Sequence, residues 1–299
     1  MRGDQMSKKL SGIFAPICTP FVDQAVSYPQ MTSNMRKYRE SSLAGLFVLG
    51  SNGESKSLSE AEKLKLLEIV LAEKAGHQSV MAGTGYESTG QTIAFSKKVA
   101  EMGVDYVSVV TPSYFKKSLT DEAMIGFYTD VADALTVPVL LYNAPGFTGM
   151  TLSSKVIAAL ARHPNIAGMK DSSTGNMSSY IQAGQGSDFS VLSGTISTLF
   201  TALALGAAGG VVSLANAFPE PPCELIERFN AGDLEGAKRL HYRLFALNQA
   251  VSGSHGVAGV KCAMDLAGFY GGDPRKPLLP LKAEGKESIR KAIAAAGLP

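Results

Sequence analysis

Apolar residues along this chain gather into short, nearly unbroken runs, separated by longer stretches in which apolar positions recur three and four apart. Eight runs read as strands: residues 12–19, 46–49, 79–83, 106–111, 139–143, 166–170, 189–193 and 210–214. Continuous rather than alternating apolarity is what parallel strands show when both faces are covered. The stretches between carry helix signals. Ser59 followed by Glu62 is a capping box ahead of Leu64, Leu67 and Leu71. Ser88 and Gln91 open a second helix with Ile93, Val99 and Met102 inside and Gly103 as its stop. Leu152, Val156, Ile157 and Leu160 form a third stripe that must end before Pro164. Strands alternating with helices, eight times over, predict an α/β fold: a closed (β/α)8 TIM barrel.

Past the eighth strand, Phe218-Pro219-Glu220-Pro221-Pro222 punctuates the chain, and helical patterns follow at 223–230, 234–251, 259–267 and 288–296. There is no repeat, no low-complexity segment and no shift in composition. The expected organisation is a barrel over 1–217 with a C-terminal helical extension over 218–299 packed against it.

Composition narrows the partners. The chain has 299 residues, 45% of them apolar, and a formal net charge of +2. That is ample for a large core, and the scattered basic residues make no field for nucleic acid or an anionic membrane. Cys18, Cys223 and Cys262 are odd in number, far apart and without CxxC spacing, which fits reduced thiols. The opening MRGDQMSKKLSG lacks the apolar segment of a secretory signal, and no run approaches the ~20 apolar residues that span a bilayer. A soluble cytoplasmic protein is expected.

In such barrels the loops after the strands form the active face, so polar residues at strand ends are the candidates. Lys170 is the foremost. It closes the apolar run Asn165 to Met169 and is followed by Asp171, Ser172 and Ser173. An ammonium where a buried strand meets a loop is costly unless paired, exposed or partly neutral, and a partly neutral lysine is a nucleophile. The alternative is a side chain reaching out to solvent. Tyr142 ends the fifth strand and offers a phenol that could relay protons, or a core ring with a satisfied hydroxyl. Gly50-Ser51-Asn52-Gly53 makes a turn whose N–H groups and short side chains could hold a carboxylate, or simply a loop leading to the Ser59 cap. Thr111 to Tyr114 and Ser193 to Thr195 end two further strands.

Other chemistries find little support. His77, His163, His241 and His255 show no HxH, HxxxH or HExxH spacing, so no metal centre is expected, and His163 before Pro164 reads as a cap or surface residue. Gly83-Thr84-Gly85 followed by Gly90 is not a dinucleotide fingerprint, and neither a P-loop nor a GxSxG elbow occurs.

The ordered segments GIFAPICTPF, GSNGES, AGTGYEST, VVTPSY, LYNAPGFTG, GMKDSS, LSG and GGVVSLAN cover nearly the whole chain. Together they resemble the pyruvate-dependent class I aldolase family that contains dihydrodipicolinate synthase and N-acetylneuraminate lyase. GSNGE in place of the synthases' usual GTTGE, HPNIAGMKDS, and GVAGVKCAMDLAGFYGGDPRKPL resemble most the 4-hydroxy-2-oxoglutarate aldolase branch. The resemblance implies that Lys170 forms an imine with C2 of a 2-oxo acid, that Tyr142 shuttles protons, and that Ser51 and Asn52 hold the substrate carboxylate. It implies that Ser172 and Gly194 line the pocket, that Val211 supplies a backbone contact, and that Tyr114 is lent across a subunit interface. A homodimer or homotetramer acting on a small 2-oxo acid, with no cofactor beyond the lysine imine, follows from it.

One position departs. The synthase carries an arginine, just after the tyrosine segment, for the carboxylate of its aldehyde partner, and here that position is Phe147. A phenyl ring cannot replace that fork. Lys116 or Lys117 would be the substitutes if their loop folded inward. The expected activity is cleavage of a 4-hydroxy-2-oxo acid to pyruvate, or another 2-oxo acid, plus an aldehyde. The alternatives are dihydrodipicolinate synthesis from aspartate semialdehyde, a 2-keto-3-deoxy sugar acid aldolase or dehydratase, and, outside catalysis, a sensor of 2-oxo acids.

Overall fold

The computed structural model describes residues 10–173 and 175–298. Most of the opening segment considered above as a possible secretory signal, residues 1–9, lies outside the described residues. The strands are β1 (Gly12–Pro16), β2 (Phe21–Val22), β3 (Ala25–Val26), β4 (Gly45–Val48), β5 (Ser79–Gly83), β6 (Tyr106–Val110), β7 (Val139–Asn143), β8 (Ile166–Asp171), β9 (Ser190–Ser193) and β10 (Gly209–Val211). The helices are α1 (Tyr28–Arg39), α2 (Glu60–Glu73), α3 (Thr89–Glu101), α4 (Asp121–Asp133), α5 (Pro145–Thr148), α6 (Ser154–Leu160), α7 (Met177–Ala183), α8 (Ile196–Ala204), α9 (Glu220–Asn230), α10 (Leu234–Asn248), α11 (Ser254–Leu266) and α12 (Ala283–Ala295).

Eight strands close into a parallel barrel in the order β1-β10-β9-β8-β7-β6-β5-β4, while β2 and β3 form a small antiparallel pair outside it. This is the expected (β/α)8 barrel. Closure falls between β1 and β10, where Gly12 pairs with Gly209. A Cβ on Gly209 would stand 2.1 Å from the Gly12 carbonyl oxygen, so this seam admits glycine only. Two apolar layers follow from the strands' two faces. Phe14, Phe47, Met81, Leu140, Tyr142 and Leu192 fill the barrel interior, and a larger cluster lies between strands and helices. Each fully buried Leu, Ile or Phe there is worth roughly 1.5–3 kcal/mol.

The helix signals act through the chemistry that suggested them. Ser59 Oγ accepts from the Glu62 N–H at 3.3 Å and Glu62 Oε2 accepts from the Ser59 N–H at 2.8 Å, a complete capping box. The buried face of α2 is Leu66, Leu67 and Val70, so the expected stripe of Leu64, Leu67 and Leu71 is turned, with Leu64 and Leu71 only partly covered. Ser88 caps α3, and Gly103 ends it with a left-handed φ of 93°. Ser153 caps α6 above Val156, Ile157 and Leu160.

Most boundaries shift by a residue or a few, α12 starts five residues before the expected 288, and four differences have a clear cause. The first strand stops at Pro16, because the Cys18 N–H leaves the ladder for Asn216 Oδ1 at 3.0 Å. The last is cut to Gly209–Val211 by a 3-10 turn at Ser213–Asn216. The prolines read as punctuation sit inside the first turn of α9, where their missing N–H groups cost nothing. The helix expected at 259 is joined to Ser254 across a kink at Gly256, where φ is 54° and ψ −141°, and α10 leads into it through a π turn at Gln249–Gly253. The C-terminal helices close on the barrel, α10 against α8 and α9, and α11 against the 3-10 turn after β10. Among the described residues no helix is long and apolar enough to cross a membrane.

Candidate active site

Strand register builds the site. β7 and β8 pair Tyr142 with Lys170 and Asn143 with Asp171, at the C-terminal ends of both strands. Lys170 is 4% exposed. Its Nζ stands 4.3 Å from the centre of the Tyr142 ring and 5.1 Å from that of Phe47, against electron-rich faces that favour a cation. The alternative of a lysine reaching out to solvent is therefore not what the barrel contains.

The Tyr142 hydroxyl lies 3.3 Å from Ser51 Oγ, and Lys170 and Ser172 also hydrogen-bond to it. Burial pushes this phenol up. The Lys170 charge and the bonds from Ser51, Lys170 and Ser172 outweigh that effect and hold it below the usual tyrosine value. A phenol so placed can give and take a proton more readily than a free one.

Asp171, beside Lys170 in sequence, is 1% exposed, but its carboxylate serves the loop. It accepts from Asn143 Nδ2 at 2.8 Å, the Ser173 N–H at 3.0 Å and the Ser173 hydroxyl at 2.9 Å. Asn143 Nδ2 also donates to the Tyr180 hydroxyl, and Asn143 Oδ1 accepts from the Leu152 N–H. This network fixes the ends of β7 and β8 and thereby the two reactive side chains. The adjacency of Asn143 to Tyr142 and of Asp171 to Lys170 was the only sign of it in the sequence.

The turn after β4 has a left-handed residue at each end, Leu49 at φ 61° and Glu54 at φ 52°. Ser51 faces Tyr142, whereas the Asn52 amide is turned to Ser213 Oγ at 2.8 Å. Gly194 follows β9 and presses on Ser172, where an added Cβ would meet Oγ at 2.1 Å. Val211 ends β10, fully buried and paired with Phe14. Tyr114 lies apart, 80% exposed and edge-on to Phe115, itself 69% exposed.

A cavity of about 510 Å³ opens at the barrel mouth, with Phe47, Ser51 and Tyr142 on its wall and Phe147, 74% exposed, at its rim. Lys170 does not line it and lies against two rings that do. Lys116 and Lys117 do not fold inward. They are exposed on a 3-10 turn and do not line the cavity, although Lys116 Nζ lies against Gly149, beside Phe147 and Thr148. The cations that do line it, Lys56 and Lys63, were not among the candidates the sequence offered. Lys63 is buried, donating to the Tyr86 hydroxyl at 3.1 Å, and Lys56 donates to the Gly85 carbonyl at 3.0 Å. Burial, and then the Lys63 charge, lower the pKa of Lys56. The three cysteines are buried free thiols, and His163 bonds Asp133 and the Asn165 N–H as a cap would. Among the described residues no three His, Cys, Asp or Glu side chains gather as metal ligands.

A parallel barrel that sets a buried lysine in register with a buried tyrosine at its mouth defines a class, the Schiff-base aldolases and lyases. Comparison with known proteins gives the family: residues 9–296 match the dihydrodipicolinate synthetase family, and the chain belongs to it. It is a lyase of the pyruvate-dependent aldolase type. The 4-hydroxy-tetrahydrodipicolinate synthase of Geobacter sulfurreducens is 35% identical over 284 residues, covering 94% of this chain and 97% of the relative. The dihydrodipicolinate synthase of Thermotoga maritima superposes with a TM-score of 0.92 at 29% identity, over 97% of this chain and all of the other. A prophage protein of the same family from E. coli K12, solved in complex with pyruvate, gives 0.90 at 27% identity, over 97% of this chain and 99% of that one. The two named for an activity are synthases, so these likenesses lend no support to the expected 4-hydroxy-2-oxoglutarate aldolase branch.

Proposed function

We propose that Lys170 forms an imine with pyruvate, or a similar 2-oxo acid, and that the site makes or breaks the bond between C3 of that acid and an aldehyde carbon. The observation that carries the reading is the register of Tyr142 with Lys170, with the phenol bonded to Ser51, Ser172 and Lys170 itself. In the cleaving direction the neutral amine of Lys170 adds to C2, the C2 oxygen leaves as water with one N–H proton and one proton from solvent, and an iminium remains. Tyr142 as phenolate takes the C4 hydroxyl proton, the C3–C4 pair flows into the iminium, and the aldehyde departs. The phenol returns its proton to C3 of the enamine, and water releases pyruvate and Lys170. Ser51 and Asn52, with the N–H groups of their turn, seat the carboxylate and hold C2 near Nζ. Ser172, Gly194 and Val211 shape the pocket, and Tyr114 with Phe115, both open to solvent, serve a neighbouring copy in a homodimer or homotetramer. No metal or organic cofactor is needed, because the imine is the electron sink.

Two aldehyde partners fit this chemistry. Phe147 at the rim, where the resemblance placed an arginine, favours cleavage of a 4-hydroxy-2-oxo acid whose aldehyde half is less charged. The names of the relatives favour aspartate semialdehyde and the synthase direction. Pyruvate with borohydride should add a stable mass to Lys170 and none to Lys170→Ala, and an unlabelled, folded wild type would overturn the imine. Pyruvate release from a 4-hydroxy-2-oxo acid with an uncharged aldehyde half and from 4-hydroxy-2-oxoglutarate, against pyruvate consumption with aspartate semialdehyde, separates the partners. Pyruvate binding with no turnover of any of them would point to the sensor.

A further inference from the structure

Glu54 ends the turn that carries Ser51, and its backbone sits at φ 52°, a conformation glycine adopts freely and other residues at a cost of roughly 1–2 kcal/mol. Something must be gained by a glutamate there, and its carboxylate shows what. The side chain is 2% exposed. Oε2 accepts from the Arg275 N–H at 2.8 Å, and Oε1 makes an ion contact at 2.8 Å with Nζ of Lys261, a lysine wholly shut off from solvent. Lys261 comes from α11, rests 4.4 Å over the Phe21 ring and donates to the Asp273 carbonyl. Cys18, close to both charges, has its thiol pushed up to about 12, chiefly by burial, so it adds no third charge.

The turn is held from within as well. The Glu54 N–H donates to the Ser51 carbonyl at 3.0 Å, and the Thr19 hydroxyl to that of Gly53 at 2.7 Å. Its outer anchor is the far end of the chain. The Arg275 guanidinium extends that grip, forking onto Glu62 at 2.7 and 3.0 Å and donating to the Ser57 carbonyl. Gly271 packs so tightly on α11 that an added Cβ would meet the Lys261 carbonyl oxygen at 1.9 Å. A buried ion pair is a poor stabiliser next to apolar packing of the same volume. Its value here is directional, because it fixes where the turn ends.

We propose that Glu54 and Lys261 are positioning residues which clamp the turn at 50–53 from the C-terminal segment, so that Ser51 and its neighbours meet the 2-oxo acid's carboxylate in place. The inference rests on the reading of that turn as the carboxylate seat. Neither residue touches substrate, and both act through the turn.

The test follows pyruvate-dependent borohydride labelling of the full chain, which reports half-saturating pyruvate separately from the labelling rate at saturation. Lys261→Met should raise half-saturating pyruvate at least tenfold while the saturated rate stays within threefold. The double variant Glu54→Gln with Lys261→Met removes both partners of one contact, so its half-saturating pyruvate should stay within threefold of the Lys261→Met value. An unchanged half-saturation in Lys261→Met, or a double variant restored to the wild-type value, overturns the clamp, the latter because it assigns the defect to a stranded carboxylate. Should Lys261→Met fail to fold, Glu54→Gln alone carries the test: a tenfold rise supports the clamp and no rise overturns it. A wild type that takes no label refutes the imine reading instead, so the two failures are distinct.

Discussion

Removing one oxygen atom tests the proton relay with little disturbance of the fold. In Tyr142→Phe the ring keeps its edge contact with Phe47, centroids 6.0 Å apart, and stays under the Lys170 ammonium at 4.3 Å. What goes is the hydroxyl and its bonds to Ser51, Ser172 and Lys170. Ser51 is half-buried on the cavity wall and can turn to water, so the loss amounts to about 1 kcal/mol of stability, or a fall in Tm of no more than about 3 °C. Loss of a positioned acid–base group costs far more in rate, ~10²–10⁴ in kcat, equivalent to about 3–5 kcal/mol of barrier. The assay is pyruvate release from 4-hydroxy-2-oxoglutarate, or pyruvate consumption with aspartate semialdehyde, run beside borohydride trapping. The expected result is slow turnover with an intact adduct at Lys170. Turnover within threefold of wild type would refute the relay, and loss of the adduct would move Tyr142 from proton transfer to imine formation.

Gly194→Ala should force Ser172 off Tyr142, since the new methyl would stand 2.1 Å from its Oγ. A loss of about 1–3 kcal/mol with slower turnover is expected by thermal melts and kinetics, and unchanged kinetics would remove Ser172 from the relay. Phe147→Arg alters a side chain 74% exposed, so stability should hold within about 0.5 kcal/mol while kcat/KM rises for aldehydes bearing a carboxylate. No change in that preference would show that the rim does not face the aldehyde. Hydrogen bonds from Arg275, with the Ser59 N–H adding to them against the effect of burial, hold the Glu62 carboxyl at about 2. Because that value is depressed, the stability it confers is present above the ordinary 4.5 and is lost as pH falls from there toward 2, at most about 3 kcal/mol. Arg275→Met should lower stability at neutral pH and flatten that acid limb in pH-dependent denaturation. An unaltered limb would assign the acid sensitivity to other carboxylates.

The barrel was legible because its strands are buried on both faces and so announce themselves as unbroken apolar runs, and because Ser59 and Ser88 act locally as caps. The helices α1, α4, α7 and α8 carry weaker local signals and went undescribed. Strand ends proved least legible where a distant partner decides them, as Asn216 does for Cys18. Lys170 and Tyr142 were found by the rule that strand ends bear chemistry, whereas their register across β7 and β8 needed the fold. Lys63 was out of reach. On a helix with acidic neighbours it reads as solvated, and only the Tyr86 and Phe95 rings across the loop, 4.8 and 5.5 Å from its ammonium, make it part of the cavity. The link of Glu54 to Arg275 spans 221 positions, and no local pattern encodes it.

That span also sets an order of events during synthesis. β1 can pair with β4 early but cannot close on β10 until Gly209 has been made, and the turn after β4 cannot reach its anchor until Arg275 follows. At 5–20 residues per second, the ribosome leaves Glu54 waiting about 10–45 s for that contact. Through this interval its carboxylate and the unclosed strand edges stand open to water and to other chains. A growing chain of this protein can therefore hold Lys170 and Tyr142 well before it can hold the turn they work with, and the last quarter of the polypeptide brings that turn to its finished shape.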